Sequence, residues 1–345
     1  MNVQDASTLA GRSRRRAPQE FVNRTIEEYI DRRLRLVDEG ISQFLKGHYE
    51  GDILDIVGYV SHGGKRLRGI LAILVCEALG GNPRDAMAAA VAVELAHAAS
   101  LTHDDIIDGD VMRRGRAALH MRYDIPTAIL IPHLIVPHAV LSTQIYGPKA
   151  TGVILDGWAR VVRGQVRDYL PANRGAVRPK GLEQLTEGGA REYFGIIRDK
   201  TAALFETAAI LGALAAQDDR DVAIARLYAW RLGLAFKIAD DVTDLEAHCN
   251  ESWSTVLDAS ATCRSILAIA GMIAAEGEDV ITPRAIARAR DLATLNVRRS
   301  EGYARMFPLS RMKTLLRIFP AFAVDQIYAE ARNYARQSQD QKQSI

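Results

Sequence analysis

Strand-like alternation of apolar and polar residues is scarce along these 345 residues. Ala, Leu, Ile and Arg dominate, and almost every stretch between breaks carries apolar residues at helical spacing. A chain patterned this way buries its apolar surface by packing helix on helix. The breaks fall at Gly63-Gly64, Gly80-Gly81-Asn82-Pro83 and Gly188-Gly189. Pro171, Gly175, Pro179 and Gly181 mark 171–181 as a loop. No stretch has the composition of an interdomain linker. The expectation is an all-α fold, a single large helical bundle of roughly ten or more helices. It comprises one domain at 21–336, a flexible basic tail at 1–20 and a frayed polar tail at 337–345.

Composition narrows the function classes. The chain is 48% hydrophobic and 25% charged, as globular proteins are, and long enough for a substantial core. A formal net charge of +2 supplies no global field for nucleic acid. Arg12, Arg14, Arg15 and Arg16 read first as a solvated arm; a localisation signal or an anion-binding arm are the other readings. The three cysteines, Cys76, Cys249 and Cys263, lack metal-ligand spacing and suit a reducing cytoplasm. The N-terminus has no apolar core of a signal peptide. The most apolar run, Ala128 to Leu141, holds Pro132 and Pro137 and falls short of the ~20 residues a membrane span needs. It reads as a buried helix broken at a proline, so no membrane span is expected.

Two acidic clusters carry the chemistry. Glu94 to Asp108 reads as one helix, with His97, Leu101, Asp104 and Asp108 on one face and Asp105 adjacent. The apolar flank of Val91, Val93 and Leu95 marks this helix as largely buried, and carboxylates stacked on a buried face need a cation. Oxygen ligands without cysteine suit magnesium, which keeps waters and shares itself with a phosphate. A solvated helix end capped by Gly109 is the plainer alternative. Arg113-Arg114-Gly115-Arg116 follows at once; acid followed by arginine forks fits a metal with a diphosphate, or a mutual surface salt-bridge patch. Leu232 to Leu245 reads as a second such helix, with Lys237, Asp241 and Asp244 on one face and Asp240 beside them. Lys200 is a further candidate charge. Gly63-Gly64-Lys65-Arg66-Leu67-Arg68 resembles a glycine-opened anion site at a helix start, without P-loop spacing.

Taken together, GGKRLR from Gly63, the run from His97 through the RRG at Gly115, GQVRD at Gly164, KTAALF at Lys200 and DDVTD at Asp240 resemble the trans-isoprenyl diphosphate synthase family, or polyprenyl synthetases. The resemblance spans about Gly63 to Asp244 in the family's order. It implies a helical bundle around a deep central cavity, a homodimer, and up to three magnesium ions per site. Asp104, Asp105, Asp108, Asp240, Asp241 and Asp244 match the metal ligands. Arg113 and Lys200 match the site of the allylic prenyl diphosphate, and Thr201 is a further substrate-binding position. Lys65, Arg68, His97 and Arg114 match that of the second substrate, isopentenyl diphosphate. The implied reaction ionises the allylic diphosphate, alkylates the second substrate's double bond and releases a proton. Asp104, Asp105, Asp108, Lys200, Asp240 and Asp241 are the implied catalytic set. Ser100 and Ala99, four and five places before the first cluster, match product-length positions; both are small, which implies a prenyl product of about twenty carbons.

Three departures stand out. Lys237 follows Phe236 where the family has glutamine, Glu246 to Arg264 holds no lysine where the family has one, and Leu130-Ile131-Pro132-His133 replaces the usual GD. Lys237 is read as a substrate-binding replacement for the missing lysine, or as a neutraliser of a neighbouring aspartate. Two further enzyme readings stay open, prenyl transfer to another phosphorylated acceptor such as an indole, and a class I terpene cyclase. A noncatalytic partner subunit is the reading of another class.

Overall fold

A computed structural model describes the backbone of 3–173, 189–247, 249, 269 and 280–343, and the side chains of 24–169, 191–246, 249, 269 and 280–333. Twelve α-helices run through the described residues. They are α1 (Val3–His48), α2 (Gly51–Ser61), α3 (Leu67–Ala78), α4 (Met87–Asp108), α5 (Leu119–Arg122), α6 (Ile125–Ser142), α7 (Pro148–Asn173), α8 (Gly189–Ile197), α9 (Ala203–Ala215), α10 (Val222–Ala247), α11 (Pro283–Ala304) and α12 (Arg311–Gln343). The expected all-α fold is what the chain adopts. The backbone of 3–20 forms the first turns of α1, α7 continues to Asn173, and α12 continues to Gln343. The rest of the expected loop at 171–181 lies outside the described residues.

Helix α3 is buried on every side from Leu67 to Cys76 and forms the centre of the bundle. A helix apolar all round has no solvent face to offer. It packs between α4 and α9, while α4 lies along α6 and α9 along α10. Ile70, Leu71, Ile73 and Leu74 are fully covered there, each contributing about 1.5–3 kcal/mol of transfer free energy. A second core joins α8 and α10 to α11 and α12 through Tyr193, Leu234, Ile238, Val242, Ala289 and Ile327.

Helix α6 departs from expectation in two ways. It passes through both Pro132 and Pro137 without a break. Its start is fixed by Asp124, whose carboxylate accepts the Thr127 N–H at 2.6 Å, with Pro126 in the first turn. Only one face is buried, because Ile129, Leu130 and Leu141 are exposed. With the 3₁₀ turn Thr143–Tyr146, the segment Ile125–Tyr146 reaches 22 residues and has the length and composition of a membrane span. The length argument against a span therefore fails. The buried face has a protein partner in α4.

The described β structure is one hairpin of two-residue strands, β1 (Met112–Arg113) and β2 (Arg116–Ala117). Arg113 pairs with Arg116 across a turn in which Arg114 (φ 52°) and Gly115 (φ 72°) are left-handed. This tight turn sets both arginines at the end of α4.

Candidate active site

The first cluster occupies the last turns of α4, which stops after Asp108 where Gly109 takes a left-handed conformation. Asp105 is buried and faces the hairpin, and Arg113 grips its Oδ1 through Nε at 2.6 Å and a terminal nitrogen at 2.5 Å. The same guanidinium reaches Asp110 at 2.5 Å. Asp104 and Asp108 lie one turn apart and both feel the ammonium of Lys200. Burial pushes the Asp104 carboxyl up to about 6; Lys200 opposes this and Asp108 adds to it. Burial also raises Asp108, again against Lys200.

Lys200 is positioned by a π-helical turn, Arg198–Ala202, between α8 and α9. Its ammonium meets Asp168 of α7 at 2.9 Å, which gives the aspartate of GQVRD its place. Gly164 lets α7 approach this turn, since a Cβ there would collide with the Lys200 backbone nitrogen. Asp199 points the other way and is held by Arg163 at 2.9 Å, Arg167 at 3.1 Å and Arg160 at 3.5 Å. Thr201 is half-buried in the same turn.

Lys65, Arg68, His97, Arg113 and Arg114 line one cavity of about 460 Å³, together with Glu94, Leu101 and Phe236. Arg68 is buried with its guanidinium 4.5 Å above the Phe205 ring. Burial lowers its pKa to about 10, with Glu94 opposing and Arg114 adding to the fall. Burial, then Arg68, Arg114, Arg66 and Arg113, hold His97 well below the ordinary histidine range, so its imidazole is neutral. Arg114 donates to the carbonyls of His62 at 3.1 Å and Gly63 at 2.9 Å. Gly64 (φ 94°) makes room for it, because a Cβ would lie 2.8 Å from the guanidinium carbon. Lys65 pairs with Glu330 of α12 at 2.8 Å and donates to the Gln326 carbonyl at 3.1 Å. Arg66 is a latch: it bonds Asp38 at 2.8 Å and the Ser61 carbonyl at 2.6 Å, beside Glu94. Ala99 and Ser100 are buried on α4, with the Ser100 hydroxyl donating to the His97 carbonyl at 2.9 Å.

The second cluster lies on α10. Asp241 is wholly buried and receives the Tyr193 hydroxyl on Oδ2 at 2.7 Å. Lys237 meets Asp241 Oδ1 at 2.8 Å and Asp240 at 3.0 Å. Burial raises Asp241, and Lys237 opposes it. Asp240 in turn supports the charge of Arg68, which links this cluster to the basic cavity. Asp244 is exposed one turn on. The segment in which the family's downstream lysine is missing lies largely outside the described residues. Tyr193 and Glu94 lie outside the motifs, while Arg66 and Phe205 lie inside GGKRLR and KTAALF without being singled out as site residues.

Among the described residues no three carboxylate, imidazole or thiol groups converge into a closed metal cage. Asp104 and Asp108, one helical turn apart and close enough that Asp108 raises the cost of charging Asp104, offer carboxylate oxygens instead. That donor set fits a hard cation which completes its shell with water and phosphate oxygens.

The site is thus two acidic helix ends beside an arginine-lined cavity in a helical bundle. The polyprenyl synthetase family model matches 52–291. A short chain isoprenyl diphosphate synthase of Methanothermobacter thermautotrophicus is 35% identical over 192 residues, 54% of this chain and 56% of that protein. A geranylgeranyl pyrophosphate synthase of Geoglobus acetivorans is 33% identical over 222 residues, covering 64% of this chain and 68% of the relative. A solved geranylgeranyl pyrophosphate synthetase from Pyrococcus horikoshii superposes with a TM-score of 0.71 at 25% identity, covering 88% of this chain and 98% of that one. The chain belongs to the polyprenyl synthetase family of trans-isoprenyl diphosphate synthases, as its motifs imply.

Proposed function

We propose that this protein is a magnesium-dependent, chain-elongating prenyltransferase that joins an allylic prenyl diphosphate to isopentenyl diphosphate, yielding a prenyl diphosphate of about twenty carbons. The observation that carries the reading is the single cavity lined by Lys65, Arg68, His97, Arg113 and Arg114 at the end of the helix bearing Asp104 and Asp108. Lys200 at the aspartate face and the group Lys65, Arg68 and Arg114 in the cavity are read as two diphosphate sites. A cyclase that uses one diphosphate has no need of the second, and the names of the relatives favour elongation over an indole-type acceptor.

Asp104 and Asp108 would hold magnesium, with Asp240, Asp241 and Asp244 the further candidates. When bound, the ion neutralises charge on the departing diphosphate. Lys200 lies against the first cluster, and Arg113 beside it, where they orient the diphosphate and stabilise its growing charge. The allylic C–O bond breaks with its electron pair leaving on diphosphate. The double bond of the second substrate then forms the new C–C bond, and a proton departs from the neighbouring carbon. Arg68, Arg114 and Lys65 hold the second diphosphate. Neutral His97 offers it a hydrogen bond without adding or removing charge. Apolar Leu101 and Phe236 line the same cavity and help keep water from the cation.

The exposed apolar stripes of α6 and α7 support a homodimer, and a cytoplasmic setting belongs to the same proposal. The deciding experiment incubates the purified protein with magnesium, labelled farnesyl diphosphate and isopentenyl diphosphate. A longer diphosphate is expected. A hydrocarbon formed without isopentenyl diphosphate would overturn elongation in favour of cyclisation. Asp104→Ala should abolish turnover.

A further inference from the structure

We infer that Lys237 is a resident cation of the second aspartate cluster, standing on Asp240 and Asp241 where a metal ion would otherwise stand. The chain would therefore recruit metal chiefly through Asp104 and Asp108. The inference rests on the proposed diphosphate chemistry and changes how the site is assembled.

Three observations converge. First, the ammonium lies within ion-pair distance of both carboxylates at once, 3.0 Å from Asp240 Oδ2 and 2.8 Å from Asp241 Oδ1. The Asp241 contact is a charge-assisted ion pair, and Lys237 is the main group opposing the effect of burial on that carboxylate. Second, Asp241 is 0% exposed and its other oxygen is taken by the Tyr193 hydroxyl at 2.7 Å. Removing the ammonium would leave a fully buried carboxylate without its counter-charge, the costly way to break a buried pair. Third, Lys237 is tethered one turn before both aspartates on α10 and is itself largely covered, at 17% side-chain exposure. A metal ion must displace a cation that cannot diffuse away. A glutamine at this place, as the family has, would carry no charge and leave both carboxylates to the metal. Lys237 stands in a sequence that has no lysine from Glu246 to Arg264.

The test counts metal. The full chain, as wild type, Lys237→Gln and Lys237→Arg, is titrated with manganese in the presence of inorganic diphosphate, and bound ions are read by electron paramagnetic resonance. Lys237→Gln is expected to hold one more tightly bound ion per chain than wild type, while Lys237→Arg keeps the wild-type number. Equal counts in wild type and Lys237→Gln overturn the inference, as does a gain in Lys237→Arg as well, which would indicate side-chain size rather than charge. If Lys237→Gln does not fold, Asp240→Asn decides. An unchanged count supports a lysine-held cluster, and a loss of one ion overturns it. Product analysis of the wild type judges elongation separately. Absent product with the count difference present would sink elongation and uphold the role of Lys237; normal product with equal counts would do the reverse.

Discussion

His97 sits where four arginines and burial all oppose its protonation. Its folded pKa lies well below the unfolded value of about 6.5. As pH falls through that value, the unfolded chain takes up a proton that the native chain refuses, so wild type loses stability toward acid. His97→Asn should remove this dependence. Between about pH 8 and about pH 5 the difference in unfolding free energy should shift toward the variant, by at most about 2 kcal/mol. Urea melts of both proteins at each pH check it, and a difference constant with pH would refute a neutral buried imidazole. Lys65 makes a second case. Its ammonium is engaged by Glu330, whose side chain is 68% exposed. An exposed pair is worth up to about 1 kcal/mol. Glu330→Gln should therefore lower the KM for isopentenyl diphosphate by up to about fivefold with kcat unchanged, read by steady-state kinetics. Lys65, Arg68, His97 and Arg114 were legible in the sequence because each belongs to a short motif. Tyr193 was not, because a tyrosine 48 residues from its aspartate acts only through the tertiary contact.

The element that most shapes the site is the π turn Arg198–Ala202. Burial pushes the Asp199 carboxyl up, but the hydrogen bonds and charges of Arg163 and Arg160 outweigh it and hold it below the ordinary range. A depressed carboxylate contributes stability above its unfolded pKa and loses it as pH falls through the folded one. Asp199→Asn should cost about 1 kcal/mol at neutral pH. Arg163, at 2.9 Å, leads the favourable contacts and Arg160, at 3.5 Å, follows; solvent screening of the half-exposed Arg163 keeps the total modest. The gap between variant and wild type should close as pH drops below about 4. Thermal melts across pH measure it, and a gap that widens in acid would contradict the sign. Local patterning carried the helical spans Glu94–Asp108 and Leu232–Leu245, which lie inside α4 and α10. It could not carry the π turn, since the widened turn answers to α7 packing against it across Gly164. Nor could it foresee α6 crossing two prolines, where burial of Ile131, Ile135 and Ala139 against the core holds the helix through them.

At the scale of the whole molecule, one surface remains to be accounted for. Helix α7 exposes Leu155, Val162, Val166 and Tyr169, a stripe at helical spacing, and α6 exposes Ile129, Leu130 and Leu141, with Ile145 just beyond. Exposed apolar residues scattered singly need no explanation, but two stripes on successive helices do. A second copy covers both when each stripe meets its own counterpart about a two-fold axis. α7 also carries Gly164, Asp168 and the arginines that hold Asp199, so a dimer on this face would brace the helix that positions Lys200. Leu130→Glu combined with Val162→Glu places charges in both stripes without touching the site. Sedimentation should move from the dimer's mass to the monomer's. Turnover should fall as α7 loses its brace, while manganese binding at Asp104 and Asp108 persists. A double variant that still sediments as a dimer would show that the copies meet elsewhere, and a monomer with undiminished turnover would separate assembly from the placement of Lys200.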